Sequence, residues 1–234
     1  MKRKCLLSAL TAVFIIFAVG MASALTTEEA LKQNFPQIKA EKISPTPIKG
    51  IYEIITSGGI LYFAPDTLNI IAGEIYAKDG RSLTHERRME ILKDKQKDIP
   101  LEKAFKMGSG THKVIEFSNP DCGYCRKASQ FLAGRKDITR YVFFLPFSPK
   151  TDPKVKYILC AKDKEKAYEE AMTGKLDDPA ALKACDDKDV EALLNTHKEL
   201  AHKLGINATP LFFIDGQVVQ GADIPAMEKL LGKK

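Results

Sequence analysis

Lys113-Val114-Ile115-Glu116-Phe117-Ser118-Asn119-Pro120-Asp121-Cys122-Gly123-Tyr124-Cys125 passes from an apolar, β-branched run through a turn into two closely spaced cysteines. Lys113–Ser118 has strand composition and Asn119-Pro120-Asp121 has loop composition. Residues 122–133 follow as a helix stopped by Gly134. A C-x-x-C at the opening of a helix has a physical consequence. Unpaired N–H groups and the helix dipole favour negative charge there. Cys122, in the first turn, is therefore expected to ionise easily and to be largely thiolate near neutral pH. Cys125, one turn inside, lies within reach of the first sulfur but is less exposed. This makes Cys122 the candidate nucleophile towards a disulfide and Cys125 the candidate resolving thiol.

Two nearby features bear on this chemistry. Thr209-Pro210 directly precedes an apolar run, Leu211–Ile214. A cis proline there would face the dithiol, whereas a trans proline would merely start a strand. Glu116 interrupts an apolar strand that should carry no charge if both its faces are covered. If buried, it is a candidate proton relay to or from Cys125; at a wet edge it would have no such role.

Outward from this centre, residues 140–147 form a second strand. Residues 153–204 are helical, with breaks near Gly174 and Asp177-Asp178-Pro179. Leu211–Ile214 and Gln217–Gln220 form a hairpin about Asp215-Gly216, and a last helix starts near Ile224. Residues 111–234 thus read as an α/β sandwich with a helical insertion at about 151–204. Upstream, Thr26-Thr27-Glu28-Glu29 fits a capping box for a short helix to about Asn34. Ile51–Ile55, Ile60–Phe63 and Ile70–Tyr76 read as a small antiparallel meander, so residues 25–80 form a unit with little core of its own. An open edge there invites a second copy. Residues 81–110 comprise a polar bridging helix, Pro100 at a first helical position, and a hinge at Met107-Gly108-Ser109-Gly110. The fold class is α+β.

The 234-residue chain holds five cysteines and has a net charge of +6, with 44% hydrophobic and 28% charged residues. That composition excludes a disordered chain, a collagen and a polytopic membrane protein. Met1-Lys2-Arg3-Lys4, an uncharged apolar core and Ala22-Ser23-Ala24 give residues 1–24 the order of a secretory signal peptide rather than a retained anchor. Cys5 precedes the apolar core, against a lipoprotein. Cleavage would remove three basic and no acidic residues, leaving +3, too little to argue for nucleic acid. It would also remove Cys5 and leave four cysteines in an exported, oxidising setting, with no membrane attachment. A zinc site needs further ligands at suitable spacing. Cys160 and Cys185 are far apart in the insertion, and His197 and His202 read as solvated, so no metal and no cofactor is expected.

These residues resemble the periplasmic protein-disulfide isomerases of the DsbC/DsbG family over essentially the whole mature chain. Cys122-Gly123-Tyr124-Cys125 is similar to the DsbC-type motif; the DsbG type typically has proline at the place of Gly123. Gly58-Gly59-Ile60-Leu61-Tyr62 resembles part of the family's N-terminal dimerisation domain. Thr209-Pro210 resembles its substrate-facing loop, which with Gly123 and Tyr124 would bind substrate. Cys160-Ala161-Lys162-Asp163-Lys164 resembles the segment bearing the first cysteine of a second, structural disulfide, with Cys185 as partner. The alternative is that both are free and buried. The bridge would close a loop of about 25 residues and contribute roughly 3 kcal/mol.

The resemblance implies a V-shaped homodimer whose thioredoxin-like catalytic domains face an apolar cleft for misfolded, disulfide-containing exported proteins. It also implies a DsbD-type membrane electron donor that keeps the dithiol reduced. One departure stands out: DsbC-type proteins usually carry an apolar residue at the place of Glu116, whereas thioredoxin and DsbA-type proteins carry a buried acid. The expected activity is disulfide isomerisation. Dithiol oxidation, DsbG-like reduction of single oxidised thiols, and redox-independent chaperoning are the alternatives.

Overall fold

The computed structural model describes residues 25–178, 180, 182 and 185–232. The expected signal peptide, residues 1–24, lies outside them. Helix α1 (Thr27–Asn34) opens on the expected capping box. The Thr26 hydroxyl accepts from the Glu29 N–H, and the Glu29 carboxylate accepts from the Thr26 N–H at 2.8 Å. Its Ala30 and Leu31 pack on Ile54 and Phe63.

Strands β1 (Lys42–Pro45), β2 (Tyr52–Thr56), β3 (Gly59–Ala64) and β4 (Asn69–Ile71) form an antiparallel sheet in that order. The first of these was not anticipated. Pro45 is compatible with it because β1 lies at the sheet edge, where a missing N–H breaks no central ladder. The fourth strand ends at Ile71, not Tyr76. Beyond it the chain turns to a new partner: the Ile75 N–H donates to the Thr84 hydroxyl at 2.8 Å. Side-chain alternation sends Ile60 and Tyr62 inward. The Tyr62 hydroxyl shares a 2.6 Å hydrogen bond with that of Thr84. Two of the five residues expected at a dimer interface are therefore covered within the chain itself.

Helix α2 (Leu83–Lys95) is capped by Ser82, whose hydroxyl accepts from the His85 N–H at 3.0 Å. Its contacts reach both sheets. Arg87 pairs with Glu53 of β2 at 3.1 Å. At the other end Lys93 donates to Gln217 and Gln96 to the Gly216 carbonyl. Leu92 and Ile99 enter a core with Ile115, Phe117 and Phe213.

Residues 105–108 differ from expectation. Where a hinge was expected at 107–110, β5 (Phe105–Gly108) pairs antiparallel with β7 (Ile138–Phe144), burying Phe105 and Met107. The glycines serve close approach. The Gly110 N–H donates to the Ile138 carbonyl at 3.0 Å. A Cβ at Gly110 would lie 1.9 Å from the Asp137 carbonyl carbon.

The second sheet runs β5-β7-β6-β8-β9, with β6 (His112–Ser118) at its centre, parallel to β7 and antiparallel to β8 (Leu211–Ile214). β9 (Gln217–Gln220) completes the expected hairpin. One face carries α3 (Gly123–Leu132) and α7 (Ile224–Leu231), with α4 (Asp152–Cys160) and α5 (Lys164–Met172) of the insertion alongside. The other face carries the end of α6 (Lys188–Leu204).

His197 on α6 is buried, not solvated. Its Nδ1 accepts from the Phe144 N–H at 3.1 Å and its Nε2 donates to the Lys103 carbonyl at 2.7 Å. Burial pushes its pKa down, outweighing the Lys103 contact. The unfolded chain, with an ordinary value of 6.5, then binds a proton that the folded chain refuses. This contribution to stability is full above 6.5 and is lost as pH falls below it, at most about 1.4 kcal/mol per pH unit. Urea unfolding at neutral pH and one unit below 6.5 should show a smaller acid loss in His197→Gln than in the parent.

Candidate active site

The dithiol sits where β6 hands over to α3. The Asn119 carbonyl accepts from the Cys122 N–H at 3.0 Å, and its side-chain oxygen accepts from the Asp121 N–H at 2.9 Å. This turn places Cys122 at the N-cap of α3, with extended backbone. Cys122 is half-buried; Cys125 is fully buried, among Phe144, Val155 and Tyr168. Both are free thiols. The Thr209-Pro210 peptide is cis, and the Thr209 carbonyl lies 3.5 Å from the Cys122 sulfur. The Pro210 carbonyl accepts from the Gly221 N–H at 2.8 Å, tying the loop to the end of the β8–β9 hairpin. Tyr124 is 68% exposed, and a Cβ at Gly123 would meet nothing within 4 Å, so the surface above Cys122 is open.

The two thiols are driven apart electrically. Burial alone would raise the Cys122 pKa. The N–H and thiol of Cys125 and the N–H of Tyr124 outweigh it, and the net shift is downward. That is the helix-start effect expected of a nucleophilic thiolate. Burial pushes Cys125 up to about 12, with the Cys122 and Glu116 charges adding to the rise. Iodoacetamide should therefore label Cys122 alone, with a pH midpoint below the ordinary thiol value of about 8.5. Mass spectrometry of the reduced protein across pH checks this; labelling of Cys125 first would contradict it.

Several residues around this turn were not anticipated. Lys154 of α4, its side chain 6% exposed, donates to both Asp121 and Asp177. Arg126 grips Asp177 through two nitrogens, at 2.8 and 2.5 Å, and donates to the Pro120 carbonyl at 2.7 Å. The Thr151 hydroxyl donates to Asp121 at 2.6 Å. These contacts bind the turn before Cys122 to the insertion. Asp177 is held well below the usual carboxylate range by Arg126 and Lys154. Arg126, four residues after Cys122, had a legible position on the helix. Lys154 and Asp177 had none, because their meeting depends on how the insertion folds back.

Glu116 is buried on the central strand, not at a wet edge. Its Oε2 accepts from Arg140 Nη2 at 2.6 Å and from Nε at 3.2 Å. Its Oε1 accepts from the Tyr168 hydroxyl at 3.1 Å. Arg140 is a second charge in an apolar strand, the signal that could have foretold the pair. Cys160 and Cys185 are joined as a disulfide, with a Cα–Cα distance of 6.5 Å. Among the described residues, no group of three or more His, Cys, Asp or Glu side chains is placed to hold a metal ion.

A C-x-x-C at a helix start, a cis proline beside it and a parallel β6–β7 pair define a thioredoxin-like thiol–disulfide oxidoreductase. Residues 101–233 match the family described as thioredoxin-like domain, and residues 18–85 match the disulfide bond isomerase protein N-terminal domain. The chain belongs to the DsbC family of thiol:disulfide interchange proteins. It is 31% identical to the probable thiol:disulfide interchange protein DsbC of Bordetella avium, over 82% of this chain and 69% of that protein. It is 29% identical to thiol:disulfide interchange protein DsbC of Escherichia coli K12, over 91% of this chain and 90% of that protein. A linker-deletion mutant of Proteus mirabilis ScsC shares the fold, with a TM-score of 0.52 at 19% identity over 63% of this chain and 83% of that one.

Proposed function

We propose that this protein is an exported, periplasmic disulfide isomerase acting on misfolded proteins. The observation that carries the reading is the asymmetry of the dithiol: a half-exposed, easily ionised Cys122 above a fully buried, reluctant Cys125. Cys122 thiolate attacks one sulfur of a substrate disulfide, forming a mixed disulfide and expelling a substrate thiolate. A second substrate thiolate then attacks the substrate sulfur of that mixed disulfide, forms a new bond and returns Cys122 as thiolate. No net electrons move. Alternatively, Cys125 attacks the Cys122 sulfur, the substrate leaves reduced, and the protein leaves oxidised.

Gly123, Tyr124, Thr209 and Pro210 form the substrate-contacting rim, with Tyr124 the exposed side chain among them. The Thr209 carbonyl beside Cys122 offers an extended client chain a backbone acceptor. Cys160–Cys185 is structural and does not cycle. A DsbD-type donor returns the oxidised dithiol to the reduced state. Export through residues 1–24 supplies the periplasmic address. Among the described residues no helix is long and apolar enough to cross a membrane. Nucleic acid is not a partner on a mature charge of only +3.

The N-terminal domain joins two copies into a homodimer. The free edge β4, with its own Ile71 exposed, supports pairing there in preference to the covered Ile60 and Tyr62. A scrambled multi-disulfide substrate refolded with the protein, alongside its sedimentation mass, tests both parts. Acceleration by a dimer is the expected result, and a monomer without effect would sink the reading. The presence of an acid at Glu116, where DsbC-type proteins usually carry an apolar residue, raises one second reading, a balance moved towards net reduction or oxidation. An equilibrium with glutathione separates it from the first.

A further inference from the structure

Side-chain parity puts Glu116 beneath the active-site helix. On β6, Val114, Glu116 and Ser118 share one face; on β7, Arg140, Val142 and Phe144 share the same face of the sheet. Val114 packs with Ala128 and Leu132 of α3, and Val142 and Phe144 pack with Cys125. Tyr168 arrives from α5 into that same cluster, its ring 5.0 Å from the Arg140 guanidinium. The charged and titratable groups around Glu116 are thus Arg140 from β7, Tyr168 from α5 and Cys125 from α3. From β8 its register partner is Phe212, which is apolar.

A relay must take up a proton and give it back. Both Glu116 oxygens already face donor hydrogens, two from Arg140 and one from Tyr168. Arg140 Nη2 also donates to the Tyr168 oxygen at 2.8 Å, closing the cluster. A proton arriving at Glu116 would neutralise the partner of Arg140 and leave that buried guanidinium without its counter-charge. What Glu116 itself supplies is a carboxylate charge, buried on the face of the sheet against which Cys125 packs, where burial lets charge act over distance.

Resting on the isomerase reading, we infer that Glu116, clamped by Arg140 and Tyr168, acts on Cys125 as a fixed buried anion and not as a proton carrier. It thereby slows the attack of Cys125 on the Cys122 mixed disulfide and leaves the substrate time to rearrange. The Cys125 thiol must lose its proton to attack, and the nearby anion opposes that loss. Slow attack by Cys125 divides mixed disulfides towards substrate rearrangement and away from two-electron reduction. Glu116 acts through Cys125 and touches no substrate.

A relay and a fixed anion predict opposite signs. The full mature protein, charged at Cys122 with glutathione as a mixed disulfide, releases glutathione when Cys125 attacks. Release is timed across the neutral pH range in the parent and in Glu116→Gln. A fixed anion predicts faster release in the variant and a profile displaced to lower pH. Each unit by which Cys125 falls raises its thiolate fraction about tenfold. Lower nucleophilicity takes back part of this, leaving about a threefold gain in rate per unit.

Slower release would mean a relay, and an unmoved profile would mean a purely structural cluster; either overturns the inference. Glu116→Gln leaves Arg140 buried without its counter-charge and so threatens folding. Glu116→Val with Arg140→Met replaces the pair by apolar groups, which buried pairs often tolerate, and is expected to release faster as well. With scrambled substrate, both variants should yield more fully reduced product per native product than the parent. If the parent itself neither releases glutathione nor isomerises, the functional reading has failed. If the parent does both and the variants match it, only the role of Glu116 has failed.

Discussion

Cys122→Ala should bring the refolding of a scrambled, multi-disulfide substrate down to the rate of free thiols in buffer. The physical reason is that no other described thiol can take its place. Cys125 is buried and reluctant to ionise, and Cys160 and Cys185 are tied to each other. Cys125→Ala should behave differently. The nucleophile remains at the helix start, so rearrangement by substrate thiols continues, while mixed disulfides that would have been resolved internally accumulate. Non-reducing electrophoresis of quenched reactions reads both outcomes. Full activity in Cys122→Ala would overturn the assignment of the nucleophile. Suppression of aggregation that survives alanine at both cysteines would show a holding activity independent of the thiols.

The second large effect is far from the chemistry. Gly110→Ala should lower stability by about 3 kcal/mol or more, the upper range for overpacking, and the melting temperature by about 10 °C. The new methyl would lie 1.9 Å from the Asp137 carbonyl carbon and 2.1 Å from the Ile138 nitrogen. Neither is a flexible side-chain tip that can swing away. To make room, the crossing from β5 to β6 must lift from the start of β7, at the cost of the 3.0 Å Gly110–Ile138 and 2.7 Å Thr139–Gly110 hydrogen bonds. Neighbouring Ser109 is exposed, and Ser109→Ala should fall within about 0.5 kcal/mol of the parent. Thermal unfolding by circular dichroism checks the pair. Equal melting temperatures for both variants would contradict the close-approach account.

Gly110 also shows where the sequence misleads. Met107-Gly108-Ser109-Gly110 has the composition of a hinge, because glycine permits both mobility and tight backbone contact. Only the position of Asp137, 27 residues away in the chain, tells the two apart. The elements around the dithiol were legible for the converse reason. Strand, turn, C-x-x-C and helix cap are all local, and so is the capping box at Thr26. Glu116 could be singled out as a charge in an apolar strand, but its partners could not. Arg140 stood near the assumed start of a strand, and Tyr168 lay on a helix whose packing face is set by the fold of the insertion. His197, expected to be solvated, had a legible signal against that: Leu193, Leu194, Leu200 and Ala201, three and four residues away on α6, put it on the apolar face, although its donor on β7 and its acceptor in the linker were not legible. The edge strand β1 escaped because Pro45 within it and Pro47 just after it suppress the strand signal without preventing pairing at a sheet edge.

Helix α2 is in contact at both ends, with Thr84 and Arg87 against the N-terminal sheet and Lys93 and Gln96 against the β8–β9 turn. Its 13 residues rise about 20 Å. At that length it works as a calliper arm. A tilt of about 10° at the Thr84 end displaces the other end by about 3 Å, roughly the rise of one residue of extended chain. The hydroxyl pair Tyr62–Thr84 thus anchors the end of the arm that lies farthest from the β8–β9 turn.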